Sequence, residues 1–339
     1  MRIYPPAPKI AAPAREDQRP FWSVMIPTYN REAYIEKTLA GVLSQAPGPE
    51  EMQIEVVDDA STEGDIEALV QRIGNGRVGF FRQPRNLGIM ANWNSCIERS
   101  VGQWVHILHS DDVVFSGFYT RLREAVRSRP DVGAAFCRYA QIDENDTQIG
   151  ISELERETPG LLSDYVEKLG VSNRIQCPAM TVKRAVYEDL GGFRADLPYA
   201  GDWEMWIRIA VKYPFWYEPG TLAGFRVHSQ SYTKTLLRSG RTTADERRCI
   251  EMVRPLLPAD RVESVSRQAR ELAALRALQV ASDRIIQGEW GGAFRQVWEG
   301  LRCSASLHVM QKLFESPLRL AKWGTRWALR AVRKQFAPE

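Results

Sequence analysis

The stretch Trp22–Arg31, WSVMIPTYNR, decides the fold of this chain. It begins with a short apolar run, Trp22–Ile26, and ends in a turn that carries an aromatic ring and polar groups. The apolar residues that follow have helical spacing: Ile35, Leu39, Val42 and Leu43. A buried strand followed at once by an amphipathic helix is the first unit of an α/β fold.

The same alternation of strand and helix continues along the chain. Strand-like and helical runs follow each other with short connections, at Ile54–Val57, Glu67–Ile73, Val78–Arg82, Ala91–Arg99, Trp104–Leu108 and Phe118–Arg127. This alternation predicts a mostly parallel sheet covered by helices. Later strand-like runs are Ala134–Ala140, Met180–Val182, Phe215–Glu218 and Leu222–Val227, and from Ala244 the chain is helical. We therefore predict a flexible tail (1–20), an α/β domain (21–235) and a helical extension (236–339).

Composition and charge limit the class of protein. Hydrophobic residues make up 44% and charged residues 26% of the chain, as in a folded protein. A net charge of +3 does not indicate a nucleic-acid partner. The five cysteines are scattered without metal-ligand spacing, which predicts reduced thiols and a cytoplasmic location. No apolar run reaches the roughly 20 residues that span a bilayer.

The polar residues fall at the predicted strand ends, where ligands bind in parallel sheets. No GxGxxG sequence follows the first strand and no GxxxxGK[ST] sequence appears anywhere in the chain, which argues against dinucleotide oxidoreductases and P-loop NTPases. The clusters are instead Pro27-Thr28-Tyr29-Asn30-Arg31, Asp58-Asp59-Ala60-Ser61 and His109-Ser110-Asp111-Asp112. Asn30, Asp59 and Ser61 could each cap a helix. The adjacent carboxylates of Asp111 and Asp112 repel each other, and a divalent cation would relieve that repulsion.

The order of these clusters resembles that of GT-A inverting glycosyltransferases of family 2. The matching segments are Ile26–Arg31, Val56–Ser61, Asn86-Leu87-Gly88, Leu108–Asp112, Leu190-Gly191-Gly192-Phe193 and Gly201-Asp202-Trp203-Glu204. The resemblance implies a Rossmann-like GT-A domain over residues 21–235, followed by the helical extension. It implies transfer of a sugar from a nucleotide-diphosphate sugar to an acceptor hydroxyl, with inversion at the anomeric carbon.

The resemblance also implies the roles of individual residues at the donor site. Tyr29 and the backbone of Pro27 and Thr28 would hold the nucleobase. Asp59 would accept a hydrogen bond from the imide N–H, which favours a UDP- or dTDP-sugar. Further donor-site residues are Asn30, Arg31, Asp58, Asn86, Ser110 and Asp111.

Three acidic or imidazole side chains are expected to carry the chemistry. The resemblance implies that Asp111 holds Mn²⁺ or Mg²⁺ against the donor diphosphate and that Asp202 acts as the catalytic base. His228, in the segment Phe225-Arg226-Val227-His228, either completes the metal site or is a packed histidine. This chain departs from the family pattern at His109, where an aspartate is common, and at Ser116, where a proline is common.

Two tryptophans flank the expected base. Trp206, with Ile207 and Ala210 at helical spacing, is expected in the core. Trp203 either lines an acceptor pocket or also packs in the core.

The segment 317–336 suggests an association with membranes. It carries six basic and no acidic residues: Arg319, Lys322, Arg326, Arg330, Arg333 and Lys334. Leu320, Trp323 and Trp327 add apolar bulk, as in a helix at the surface of an anionic bilayer. A basic solvated face, with the tryptophans packed on the α/β domain, is the alternative. Membrane binding would suit a glycan or lipid-linked acceptor at the cytoplasmic face.

Two other classes of protein compete with the glycosyltransferase interpretation. A nucleotidyltransferase would make the sugar nucleotide, but such enzymes place a basic glycine-rich loop after the first strand. An inactive scaffold would bind the sugar nucleotide without using it, but the presence of both Asp111 and Asp202 argues against that.

Overall fold

A computed structural model describes residues 6–13, 19–239 and 241–315 of the protein. Its strands are β1 (Trp22–Thr28), β2 (Met52–Asp58), β3 (Gly79–Arg82), β4 (Trp104–Ile107), β5 (Val113–Val114), β6 (Ala134–Ile142), β7 (Gln148–Ile151), β8 (Gly160–Leu162), β9 (Met180–Lys183) and β10 (Phe215–Arg226). Its helices are α1 (Glu32–Leu43), α2 (Ile66–Gly74), α3 (Ile89–Arg99), α4 (Phe118–Arg127), α5 (Tyr165–Val171), α6 (Arg184–Leu190), α7 (Gly201–Lys212), α8 (Tyr232–Ser239), α9 (Arg241–Val253), α10 (Val262–Ile286) and α11 (Trp290–Cys303). Residues 307–315 are also helical.

The first four strands form the parallel half of one sheet, in the order β3-β2-β1-β4. Strand β1 pairs in parallel with both β2 and β4, and Thr28 lies opposite Asp58 in the register. The carboxyl ends of these strands therefore meet at one edge, as the alternating sequence pattern predicts. Helix α1 buries one face against the core through Ile35, Leu39 and Val42.

The other half of the sheet is mixed, and this part differs from the sequence interpretation. Strand β9 lies antiparallel between β4 and β6, while β10 runs parallel to β6. The runs Phe215–Glu218 and Leu222–Val227, predicted as separate strands, form the single strand β10. Its register shifts between Glu218 and Ala223, so Pro219 and Gly220 lie at an irregularity within the strand.

Part of the predicted flexible leader is held by the α/β unit. Ile10 is buried at 5% exposure. The backbone N–H of Gly192 donates to the carbonyl of Pro8 at 2.8 Å, and Arg184 donates to the carbonyl of Ala11 at 3.1 Å. Burial of Ile10 and these hydrogen bonds offset the entropy lost on ordering, so residues 6–13 are not a free tail. Residues 1–5 and 14–18 lie outside the described part of the chain.

The chain divides into two compact units, residues 1–229 and 230–339, against a predicted boundary at residue 235. Helices α8 to α11 belong to the second unit. In the part of the chain that the structure describes, no helix combines the length and the apolarity needed to cross a membrane. The predicted basic helix over residues 317–336 lies outside that part.

Candidate active site

The turn after β1 is fixed by Asn30, which joins it to the turn after β2. Asn30 has a φ of 52°, a left-handed conformation that asparagine tolerates better than most residues. Its side-chain oxygen accepts from the N–H of Thr62 at 2.9 Å, and its own N–H donates to Ser61 Oγ at 2.9 Å. Arg31, not Asn30, is the N-cap of α1, and it provides no side-chain cap. Tyr29 remains 42% exposed, so its ring is accessible at the strand end.

The side chain of Asp58 forms hydrogen bonds inside the turn after β2. Its side chain is fully buried, and its carboxylate accepts from the N–H of Ser61 at 3.1 Å. Arg82 at the end of β3 pairs with the same carboxylate at 2.7 Å. The buried carboxylate of Asp58 therefore stabilises the loop.

Asp59 binds the loop that contains Asn86-Leu87-Gly88. Its two carboxylate oxygens accept from the N–H groups of Leu87, at 2.7 Å, and Gly88, at 3.0 Å. Gly88 has a φ of 86°, which favours glycine, and it also donates to the Asn86 side chain at 3.1 Å. Burial raises the pKa of Asp59, although the two backbone hydrogen bonds act against that shift. Asp59 is 3% exposed. Its expected contact with the nucleobase must therefore use the lone pairs of its carboxylate oxygens that do not accept from Leu87 or Gly88.

The segment after β4 gathers His109, Asp111 and Asp112 into one cluster. One potential ligand atom from each of these side chains lies within 4.8 Å of the others. Thr38 of α1 holds the turn, because its hydroxyl contacts the carbonyls of Ser110 at 2.9 Å and Asp112 at 2.7 Å. The ring of His109 stacks on Trp93 at 4.8 Å between centroids, and its Nδ1 lies 3.3 Å from Asp112 Oδ2.

The end of β10 closes the cluster from the other side. His228 Nε2 lies 3.0 Å from Asp111 Oδ2, and Arg31 Nε lies 3.6 Å from the same oxygen. Arg226 donates its backbone N–H to Asp112 Oδ1 at 2.8 Å and its side-chain Nε–H to the carbonyl of Asp111 at 2.7 Å. The aromatic-Arg-x-His segment thus brings two side chains to this cluster, and the sequence by itself predicted a role only for His228.

Burial and neighbouring charges move the pKa values of the two carboxyl groups apart. Burial raises the pKa of Asp112 to about 6, and the negative charge of Asp111 acts in the same direction. Burial also acts to raise the pKa of Asp111, but the hydrogen bond from His228 and the charges of His109 and Arg31 outweigh it and hold that pKa below its ordinary value. For His109, burial is outweighed by the hydrogen bond to Asp112 and by nearby carboxylates, so its pKa is raised.

These side chains fit a divalent cation. Among the described residues, His109 Nε2 and His228 Nδ1 are buried polar atoms without a hydrogen-bond partner, and the buried Asp112 Oδ2 has the contact with His109 Nδ1 at 3.3 Å. Carboxylate oxygen and imidazole nitrogen together suit Mn²⁺, while Mg²⁺ prefers the oxygens. From the sequence, Asp111 is the expected ligand, His228 is either a ligand or a packed histidine, and His109 is a departure from the family pattern. The sequence also associates the adjacent carboxylates of Asp111 and Asp112 with a cation, and the cluster geometry adds His109 to them.

A separate carboxylate, that of Asp202, lies at the start of α7. Its oxygens accept from the side-chain N–H of Asn173 at 3.0 Å and from the backbone N–H of Trp203 at 2.7 Å. Burial raises its pKa to about 6, against the effect of these hydrogen bonds. His109 and Asp202 are close enough that the charge of each affects the pKa of the other. Asn173 carries no sequence signal, because it reaches Asp202 only through the fold.

The two tryptophans beside Asp202 both pack in the core. Trp203 is 1% exposed and donates its indole N–H to the carbonyl of Leu169 at 2.6 Å. A ring enclosed in this way has no face for an acceptor, so the acceptor-pocket alternative for Trp203 is wrong. Trp206 is 2% exposed, as its helical spacing predicts.

The motifs Leu190–Phe193 and Gly201–Glu204 are joined by Arg208. This residue forms a bidentate ion pair with Glu204, at 2.9 and 2.8 Å. It also donates to the carbonyls of Leu190 at 2.7 Å and Gly192 at 2.9 Å. The two motifs therefore stabilise the start of α7, where Asp202 lies.

The fold and the site together define a class of protein. The turn after β1 carries no glycine-rich phosphate loop. The segment after β4 carries a cluster of side chains that fits a cation, and the separate buried carboxylate of Asp202 lies near that cluster. This is the arrangement of GT-A glycosyltransferases, which use nucleotide sugars.

Comparison with known proteins identifies the family. Residues 23–191 match the sequence profile of glycosyl transferase family 2. The chain belongs to this family. It is similar to an uncharacterised protein of Mycobacterium tuberculosis, with 28% identity over 71% of this chain and 78% of the relative. It is also 38% identical to the putative teichuronic acid biosynthesis glycosyltransferase TuaG of Bacillus subtilis, over 28% of this chain and 37% of that protein.

Solved structures of low sequence identity share the fold. TarS of S. aureus (residues 1–349, in complex with UDP-GlcNAc) is 14% identical and has a TM-score of 0.62, covering 90% of this chain and 91% of that one. The mannosyltransferase PcManGT of Pyrobaculum calidifontis, in complex with GDP-Man and Mn²⁺, is 19% identical with a TM-score of 0.55, covering 99% and 92%.

Proposed function

We propose that the protein is a metal-dependent inverting glycosyltransferase with a UDP- or dTDP-sugar donor. The proposed reaction takes place in the first unit, which ends at Ser229, and not in the helices α8 to α11 of the second unit. The observation that carries the proposal is the proximity of two different acidic sites, since His109 of one and Asp202 of the other are close enough to affect each other's pKa. One is the cluster of His109, Asp111 and Asp112, and the other is Asp202 with a pKa raised to about 6.

Asp202 acts as the general base of this reaction. The acceptor hydroxyl oxygen forms a bond to the anomeric carbon, and the bond from that carbon to the diphosphate oxygen breaks. The hydroxyl proton passes to Asp202, and the nucleoside diphosphate leaves. A pKa near 6 suits the task, because the carboxylate is ionised at neutral pH yet more basic than an ordinary aspartate. Asn173 and the N–H of Trp203 hold it in place.

The cluster around Asp111 serves the leaving group. Asp111, with Asp112, His109 and His228 around it, would hold Mn²⁺ or Mg²⁺. A bound divalent cation supplies stabilisation for the negative charge that develops on the leaving diphosphate. Arg31, 3.6 Å from Asp111, adds positive charge on the same side.

The turns after β1 and β2 bind the donor nucleotide. The exposed ring of Tyr29 stacks on the base, beside the backbone of Pro27 and Thr28. Asp59 accepts the imide N–H of uracil or thymine through lone pairs not used by Leu87 and Gly88. Guanine presents a different edge, so a GDP-sugar would bind less well, although PcManGT was solved with GDP-Man.

The acceptor is a glycan or glycolipid assembled at the cytoplasmic face of a membrane. Support comes from the name of TuaG, which refers to teichuronic acid biosynthesis, and from the basic, tryptophan-containing segment 317–336. Six cationic residues in that segment would attract anionic lipid.

To test the proposed activity, the purified protein is incubated with UDP-, dTDP- and GDP-sugars in the presence of Mn²⁺, and the released nucleoside diphosphate is measured. We expect slow release from one UDP- or dTDP-sugar, dependent on added metal, and no release by the Asp111→Ala variant. Formation of nucleoside triphosphate from the sugar nucleotide and pyrophosphate would instead indicate a nucleotidyltransferase. Binding of the donor without release, in the presence of metal and a range of acceptors, would indicate a scaffold.

A further inference from the structure

Helix α11 of the second unit has one buried face and one strongly exposed apolar face. The buried face is formed by small or polar residues, Ala293, Gln296, Gly300 and Cys303. Gly300 allows a close approach to α10, since a Cβ at this position would lie 3.0 Å from Cβ of Ala277. This contact fixes which side of α11 faces outward.

The outward side carries a row of aromatic rings. Trp290, Phe294 and Trp298 are 68%, 71% and 58% exposed. They follow one another at four-residue spacing, which places them on one side of a helix. Single exposed apolar residues are common on protein surfaces, but a contiguous aromatic row marks an interaction site. We call these three residues the aromatic row.

Basic side chains lie next to the aromatic row. Arg295 and Arg302 are exposed and fall beside it at helical spacing, near Trp298. The acidic residue of α11, Glu299, is only 15% exposed and pairs with Arg302 at 2.8 Å and with Arg247 at 3.6 Å. A solvent-exposed row of aromatic rings flanked by arginines is typical of helices that lie in the interface of an anionic bilayer.

The chain that follows has the same chemistry. Residues 316–339, outside the described part, contain six basic residues and one acidic residue, Glu339. A second copy of this protein would carry the same positive charge, which disfavours it as the partner of the aromatic row. An anionic lipid surface would attract them instead.

We propose that the aromatic row of α11 is a membrane-docking surface that inserts into the interface of an anionic bilayer. This inference goes beyond the proposed transferase reaction and does not depend on it. The rings enter the boundary between headgroups and acyl chains, while Arg295 and Arg302 contact lipid phosphates. The bilayer is thus bound by a folded helix as well as by the basic segment that follows.

The test is co-sedimentation of the full-length protein with lipid vesicles. Vesicles of phosphatidylcholine alone are compared with an equal mixture of phosphatidylcholine and phosphatidylglycerol, at low and high salt. The variant Trp290→Ser/Phe294→Ser/Trp298→Ser removes the row, and Trp290→Phe/Trp298→Phe keeps its aromatic character. The control Ile149→Ser/Ile151→Ser removes apolar side chains that are 56% and 46% exposed on the first unit.

We expect the wild type to bind the mixed vesicles, and the serine variant to bind about tenfold less tightly or worse. The phenylalanine variant and the control should bind like the wild type. Melting curves and donor titration check that each variant is folded, and donor affinity should be unchanged in all of them. Donor binding also separates this proposal from the transferase proposal, since either can fail alone.

Two results would overturn the proposal. In one, the folded serine variant pellets with the mixed vesicles as the wild type does, which would assign binding to residues 316–339 alone. In the other, the wild type stays in the supernatant and self-associates, and the serine variant does not self-associate. The row would then be a contact between copies of the chain.

Discussion

His228 Nε2 lies 3.0 Å from Asp111 Oδ2, although 117 positions separate the two residues in the chain. The contact joins the end of β10 to the segment after β4. The ring of His228 also packs on Tyr34 of α1, at 4.8 Å between centroids, and is 1% exposed. The histidine is therefore oriented before any ligand arrives, and Asp111 is held in its ionised form.

Replacement of Asp111 should abolish metal-dependent donor binding. Asp111→Ala removes a central carboxylate of the cluster, so we expect no gain in donor affinity when Mn²⁺ is added. Calorimetric titration with the donor, with and without Mn²⁺, measures this. Asp131→Ala is the control, because Asp131 is 49% exposed and pairs only locally with Arg129. Wild-type affinity of Asp111→Ala in Mn²⁺ would remove Asp111 from the metal site.

Replacement of Asp202 should separate donor binding from transfer. In Asp202→Asn the side chain keeps its size but loses its basicity, so transfer should fall by about 10²–10⁴-fold while donor affinity is retained. Steady-state kinetics and donor titration give the two quantities. If the variant keeps more than about a tenth of wild-type transfer, another group accepts the proton.

The same substitution should not destabilise the protein at pH 8. The folded-state pKa of Asp202, about 6, lies above its ordinary value of 3.8, so the stability associated with this group is greatest below pH 3.8 and is lost as pH rises through 6. The ionised carboxylate thus costs about 3 kcal/mol at pH 8, which asparagine removes. We expect a melting temperature at pH 8 equal to or above that of the wild type. A drop of several degrees would mean that Asp202 has a structural role.

The pH dependence of transfer should report the Asp202–Asn173 contact. Because the base must be ionised, kcat/KM should fall as pH falls through about 6. Asn173→Ala removes a hydrogen bond to the carboxylate, so it should raise the pKa of Asp202. The acidic limb of the pH–rate profile should then move to higher pH by about one unit. A pH–rate profile of the two proteins measures the shift. An unmoved limb with a uniformly lower rate would point to a structural role for Asn173.

Loss of Arg208 should destabilise the first unit. Arg208→Met leaves Glu204 buried without its partner and frees the carbonyls of Leu190 and Gly192. The free energy of unfolding should fall by about 3 kcal/mol, which corresponds to about 6–12 °C in the melting temperature. Thermal unfolding measures it, with Arg261→Met, an exposed residue of the second unit, as the control. Equal melting curves would show that the two motifs do not need this link.

The sequence predicted the first half of the sheet and the order of the motifs, because strands β1 to β4 and the helices between them have clear apolar periodicity. It also predicted that Asp58 and Asp59 lie together at a strand end, but it did not predict that the two side chains have different roles. Asp58 is surrounded by its own turn and Arg82, whereas Asp59 binds the loop at Leu87 and Gly88. That difference depends on which neighbouring loop each side chain meets.

What the sequence determined by itself is local: the apolar runs, the turn chemistry and the acidic pairs at strand ends, each encoded within a few neighbouring residues. Only the tertiary structure decided the contacts between distant segments. The antiparallel insertion of β9, the hydrogen bond from Asn173 to Asp202 and the contact of His228 with Asp111 belong to this group. Such contacts depend on strand register and helix packing, which sum weak interactions over the whole fold and leave no periodic signal at either partner.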